Sequence, residues 1–172
     1  MRARSLGFAV ALVIFIFDQL TKYWVTGPLG INRLGDQLYI LPIFNFTYTE
    51  NNGISLGLLN ATTETGRWML VALTSAIAVG VAYWIGREKD RIDQLALGMV
   101  LGGALGNIVD RVRHGYVVDF ADLHFGEFRP FLIFNVGDAA ISIAVVILLL
   151  RAFLARKNEK EGSDPEETIE HA

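Results

Sequence analysis

Two stretches in the second half of the chain each set one acid among apolar residues: Asp119 in GYVVDFADLHF and Asp138 in FNVGDAAISIAVVILLL. A carboxylate beside a long apolar run is costly, and an ionisable group inside such a run marks a functional site by default. Two carboxylates meeting in a low-dielectric site cannot both ionise easily, so one pKa rises and a proton is shared. Such a pair can activate a water as base and protonate a leaving amine as acid. That is aspartic-peptidase chemistry, which needs no metal and no serine or cysteine nucleophile. Asp138 reads as standing about two turns into an apolar span, with Asn135 on its face at i,i+3. Its bland alternative is a protonated acid hydrogen-bonded between helices. Asp119 falls in a loop, and its neighbours Val117, Val118 and Phe120 carry it toward a membrane interface.

Other chemistries find less support. Asp119, Asp122, His124 and Asp138 are enough ligands for a divalent cation, but no HExxH-type spacing accompanies them, so no metal is expected. No serine has a nucleophile-elbow context, and the glycines at 102–106 lie within an apolar run rather than in a phosphate loop after a strand. The chain has no cysteine, which excludes disulfides and thiol chemistry. No basic patch with interleaved aromatics suggests nucleic acid. No cofactor is implied.

The elements that must carry these acids are long apolar helices. Of 172 residues, 52% are hydrophobic and 19% charged, below the roughly 25% charged of a soluble domain. Mean hydropathy is +0.40. A membrane span takes about 20 mostly apolar residues, and lipid admits only helices or closed barrels. Four such runs occur, at about 6–25, 68–86, 94–111 and 131–154. The expected fold is a membrane all-α protein with four transmembrane helices in a single domain (1–155), and the first run reads as an uncleaved helix rather than a signal peptide.

Basic residues set the expected orientation. With the N-terminus inside, nine lie in inner segments and six in outer ones, and the short loop REKDR (87–91) is cytoplasmic. Both termini are then cytoplasmic. The outer segment 26–66 contains LYILPIFNFTYTENNG, which suits a small, half-buried sheet followed by a turn. The second outer segment, 112–130, carries Asp119. The tail 156–172 is charged and almost free of apolar residues, and it is expected to be disordered.

The polar residues of the spans gather at one depth. Asp18 and Lys22 occupy the outer part of the first helix; Asn107, Asp110 and Arg111 the outer end of the third; Asn135 and Asp138 the outer part of the fourth. Asp18 and Lys22 are i,i+4 with the acid first, the favourable order for a structural pair. Asp110 and Arg111 fit a functional role or a snorkelling helix end equally well. The run GGALG before Asn107 permits close helix packing. Two other classes of function remain to be distinguished. A proton or ion transporter would use Asp18, Asp110 and Asp138 as a relay distributed across the membrane, and a non-catalytic scaffold would tolerate loss of Asp119.

DQLTK (18–22), NNG (51–53), GGALGNIVDRVRHGYVVDF (102–120) and FNVGDAAI (134–141) together resemble the motifs of lipoprotein signal peptidase, the type II signal peptidase of bacteria. They occur in the family's order and span residues 18–141. The resemblance implies a multi-pass protein of the bacterial inner membrane with its active site toward the outer face. It also implies an aspartic endopeptidase that removes the signal peptide of prolipoproteins just before a diacylglyceryl-modified cysteine. Lipid-modified prolipoprotein and membrane lipid would be its partners, and a monomer is expected. By motif position Asp119 and Asp138 would be catalytic. Asn51, Gly53, Asn107, Asp110, Arg111 and Asn135 would bind substrate or shape the site, and Asp18 and Lys22 would match the first-helix motif. The small sheet would lie on the membrane, with a mobile stretch over the site. Two positions depart from the family's pattern: GISL (53–56) stands where GAAF is usual, and Gly137 where FNxAD has alanine.

Overall fold

The computed structural model describes residues 3–53 and 63–161. Its order is α1 (Ala3–Thr26), β1 (Gln37–Leu41), β2 (Phe44–Asn51), α2 (Glu64–Arg87), α3 (Arg91–His114), β3 (Val117–Leu123) and α4 (Val136–Glu161). All four helices are long and apolar enough to cross a membrane. At 1.5 Å per residue, about 22 residues reach about 33 Å, against a hydrocarbon core of about 30 Å. Their outward faces are apolar too: Leu12, Val13, Val79 and Leu149 are exposed. In water such a surface would aggregate, whereas lipid is its matching solvent.

Local chemistry sets the helix ends. Thr63 caps α2 by accepting from Gly66 N, and the Asp90 side chain caps α3 by accepting from Ile92 N and Asp93 N. Gly115, at φ 93°, ends α3 in the left-handed conformation that favours glycine. The residues 131–135, which the apolar pattern assigns to the fourth span, instead approach α4 as irregular chain, and Asp138 lies in that helix's first turn. At its far end α4 continues through Glu161, into the stretch expected to be disordered; residues 162–172 lie outside the described residues.

α3 is the central helix because small residues let its neighbours come close. A methyl group at Gly98 would collide with Gly7 O and one at Gly102 with Ala11 O. These glycines, with Gly106, recur every four residues and form one smooth stripe against α1. Gly103 faces α4 in the same way, where a methyl group would collide with Gly137 O.

The small sheet has antiparallel order β1-β2-β3. The outer segment 26–66 supplies β1 and β2, as expected. The third strand is the stretch around Asp119, which the sequence reading placed in a loop. Val118, Phe120, Tyr48 and Ile31 pack with Val25 of α1, which seats the sheet on one end of the helices. Phe46 and Phe120 meet edge to face at 5.5 Å. Phe120 N and Ala121 N both donate to Phe134 O, at 3.1 and 2.8 Å, the signature of a bulge in β3.

Candidate active site

Asp138 is fixed by the start of its own helix. Asn135 Oδ1 accepts from Asp138 N at 2.9 Å, and Asp138 Oδ2 accepts from Asn135 N at 3.3 Å. This reciprocal pattern is a capping box, with Asn135 at the cap and the acid at the third helical position. Asn135 is therefore the residue that starts α4, not a neighbour one turn along it. The helix dipole favours an anion at that end. From α3, Asn107 Nδ2 donates to Asp138 Oδ1 at 2.8 Å.

Asp119 is buried and receives two amides. Asn135 Nδ2 donates to its Oδ1 at 2.6 Å, and Asn51 Nδ2 donates to its Oδ2 at 3.0 Å. Asn51 is turned by the glycine that follows it: Gly53 N donates to Asn51 Oδ1 at 2.9 Å, with Gly53 at φ 101°. Only glycine adopts that conformation without strain, so the NNG motif aims an amide at Asp119. Ile54, Ser55 and Leu56 lie outside the described residues.

Both asparagines between the acids have a forced orientation. Asn107 Oδ1 accepts from Lys22 Nζ at 3.2 Å and from Asn135 Nδ2 at 3.1 Å. Lysine can only donate, so the Asn107 amide must turn its nitrogen to Asp138. Asn135 Oδ1 is held by the backbone of α4, so its nitrogen must face Asp119. One asparagine therefore donates to each acid, and a hydrogen bond joins the two asparagines.

Burial pushes Asp119 up to about 7, and the charge of Asp138 pushes in the same direction. Hydrogen bonds from Asn51 and Asn135 and the charge of Lys22 oppose the rise without cancelling it. Asp119 therefore exchanges its proton near neutrality. Arg111 is a second nearby cation: the charges of Asp138, Asp119 and Asp110 all act on it, yet among the described residues its buried Nε has no hydrogen-bond partner.

The remaining polar residues form a second, closed cluster. Lys22 Nζ lies 2.8 Å from both Asp18 Oδ2 and Asp110 Oδ2. Asp18 Oδ1 accepts from Gly137 N at 2.9 Å, and Asp110 Oδ2 accepts from Val118 N at 3.1 Å. Gly106 makes room, since a methyl group there would collide with Asp18 Oδ2. The expected structural pair is in place, and it ties α1 to the start of α4 one residue before Asp138. Asp110 belongs to this cluster and anchors β3 one residue before Asp119. Among the described residues, Asp18, Asp110 and Asp138 lie together at one end of the helices and are not distributed along them as a relay would be.

A cleft of about 880 Å³ opens beside Asp119, lined by Thr49–Gly53, Arg111, Arg129, Leu132 and Ile133. Every site residue expected from the sequence falls in one of these two linked clusters or in the cleft wall. Sequence reasoning missed Gln19, whose amide donates to Asp110 Oδ1 at 3.0 Å and to Gly106 O at 3.3 Å. It also missed the role of Asp122, which bonds Thr47 and Arg129. Asp122 and His124 were weighed as metal ligands, but among the described residues no group of three or more His, Cys, Asp or Glu side chains is placed to hold an ion.

Four membrane-length helices, a small sheet seated at one end, and two acids held by paired asparagines define a membrane aspartic peptidase. Comparison with known proteins agrees. The family described as signal peptidase (SPase) II matches residues 10–154. The lipoprotein signal peptidase of Sphingopyxis alaskensis is 54% identical, over 91% of this chain and 88% of its own. That of Rhizorhabdus wittichii is 50% identical over 90% and 89%. Among solved structures, a bacterial membrane enzyme determined by the in meso method at 2.3 Å superposes with a TM-score of 0.73 at 28% identity, covering 94% of this chain and 93% of that one. The chain belongs to the signal peptidase II family.

Proposed function

We propose that this peptidase cleaves lipid-modified prolipoproteins just before the diacylglyceryl cysteine, with Asp119 and Asp138 as its catalytic acids. The observation that carries the assignment is the pairing of these two acids, through Asn135 and Asn107, beside a cleft that Asp119 lines. A water between the carboxylates would be deprotonated by the ionised one and attack the scissile carbonyl, and the protonated one would deliver its proton to the leaving nitrogen. Arg111 has donors to spare for the developing oxyanion. The helices would place this site toward the outer face of the bacterial inner membrane, with both termini cytoplasmic. A scissile bond next to a membrane-anchored cysteine would then meet the acids at headgroup level. The diacyl chains would stay in surrounding lipid, so binding remote from the bond would position it. The protein would act as a monomer formed by one domain.

The test is cleavage of a purified diacylglyceryl-modified prolipoprotein by the wild type, with and without a chelator. Cleavage at the predicted bond, unaffected by the chelator, is expected. Loss of activity on chelation would make the same acids metal ligands, and absence of any cleavage would remove the substrate assignment.

A further inference from the structure

The cleft contains a second arginine that the dyad does not use. Arg129 Nε donates to Asp122 Oδ1 at 3.0 Å and its Nη2 reaches Oδ2 at 3.4 Å. Asp122 is 1% exposed and is itself held by Thr47 Oγ1 at 3.0 Å, whereas the Arg129 side chain is 52% exposed. A guanidinium has five N–H donors in a rigid plane. Two are engaged by Asp122, and the others have no acceptor among the described residues. The bulge at Phe120–Ala121 explains why this happens at the dyad. In a regular strand Asp119 and Asp122, three apart, would leave opposite faces; here Phe120 N and Ala121 N share Phe134 O and the register against β2 slips between Ala121 and Asp119, which breaks that alternation. Arg129 and Asp119 accordingly line one cleft.

The residues around Arg129 are apolar and uncovered. It directly follows a tight turn in which Phe125 and Phe128 exchange backbone hydrogen bonds, and Phe128, Phe131 and Leu132 are exposed, Leu132 by 91%. Leu132 and Ile133 continue the wall of the cleft. A fixed planar donor set beside an apolar strip matches a ligand with carbonyl acceptors at the root of hydrocarbon chains.

Building on the peptidase reading above, we propose that Arg129 is a substrate-positioning residue whose free N–H donors bind the ester carbonyls of the diacylglyceryl group, while Phe131 and Leu132 carry the first part of its acyl chains. Asp122 holds the guanidinium in plane. Arg111 remains with the dyad, so the cleft divides into a peptide end and a lipid-ester end.

The experiment uses two lipopeptides of one sequence. In one the cysteine carries diacylglycerol through esters; in the other the chains are attached by ether links that lack the carbonyls. Wild type is expected to show about tenfold lower KM for the ester, equivalent to ~1.4 kcal/mol. Arg129→Gln should raise the ester KM to that of the ether, leave the ether KM unchanged and keep kcat within about twofold, as loss of uniform binding requires. Arg129→Lys keeps the charge against Asp122 but not the fork, and it should lose most of the ester preference. A purely structural Arg129 would raise both KM values together or leave the preference intact. Either result overturns the proposal, as does a wild type that does not distinguish ester from ether. If the wild type cleaves neither lipopeptide, or Asp119→Asn cleaves both, the peptidase reading itself has failed.

Discussion

Two pairs of acids lie at the same end of this molecule and are treated in opposite ways. Asp18 and Asp110 have a lysine between them, each 2.8 Å from Lys22 Nζ, and the remaining oxygens are filled by backbone and by Gln19. Among the described residues, asparagine amides and no cation link Asp119 to Asp138, with a cleft beside Asp119. Amides donate hydrogen bonds but do not cancel charge. The first pair is an ionic fastening. In the second, burial and the charge of Asp138 hold a proton on Asp119 up to about pH 7. The two are coupled through Lys22, which fixes the amide that Asn107 offers to Asp138.

The largest effect should come from breaking the open pair. Asp119→Asn or Asp138→Asn is expected to lower kcat by about 10³–10⁴-fold, comparable to losing a member of a catalytic constellation, while thermal unfolding in detergent at pH 5, where Asp119 is mostly protonated in the folded protein, stays close to wild type. Retained turnover with either variant would show that the two pairs do not differ in role.

Breaking the closed pair should act on stability instead. Lys22→Met leaves two buried carboxylates without their cation, which costs about 3–5 kcal/mol. A lowered unfolding midpoint is the expected readout, and an unchanged midpoint would count against the fastening role. Asn135→Ala touches both functions. It removes the cap of α4, about 1 kcal/mol, and the donor to Asp119, and the cleavage rate should fall about 10²-fold through misplacement of the acids.

Proton linkage sharpens the contrast further. Asp119 is raised in the folded state from the ordinary 3.8 to about 7. Between those values the folded protein binds more protons than the unfolded chain, so this group's contribution to stability is full below 3.8 and is lost as pH rises through about 7. Asp119→Asn should therefore unfold at a higher temperature relative to wild type at pH 8 than at pH 5. The wild-type rate should fall on the alkaline side as the shared proton leaves. A melting difference independent of pH would contradict the raised value.

Gly137→Ala should have the smallest effect. The added methyl would lie 3.0 Å from Gly103 O and 3.1 Å from Asn135 Oδ1, a tight fit that offsets the gain in chain stiffness. A change below about 1 kcal/mol is expected, and the unfolding midpoint measures it.

The closed pair was the more legible of the two. Four hydrophobic runs gave the four helices, and Asp18 and Lys22 at i,i+4 announce a bond within one helix. The open pair was legible as two costly acids, yet its geometry was not. The apolar residues Phe131–Phe134 look like helix, so Asp138 was placed about two turns into the span instead of in the first turn of α4, although Asn135-x-x-Asp138 is the sequence form of a capping box. The third strand was hidden because Asp119 and Asp122 interrupt an apolar alternation, and pairing with β2 is a long-range choice that local pattern does not encode. A bulge moves residues between faces without leaving a mark in composition, so the Asp122–Arg129 fork could not be foreseen. Gln19 carries no charge and no periodic signal, and only the packing of α1 on α3 reveals its place.

The central claim is that, among the described residues, no cation forms an ion pair with either acid of the open pair and the charge of Lys22 only partly offsets the rise at Asp119, so each acid is felt by the other. The most direct measurement is the titration of Asp119, followed through isotope-labelled carboxyl signals in wild type and in Asp138→Asn. The account predicts a midpoint near 7 in the wild type and a lower one in Asp138→Asn, since one source of the rise is then gone while burial remains. A midpoint at the ordinary carboxylate value in the wild type, or one that Asp138→Asn leaves unmoved, would contradict it.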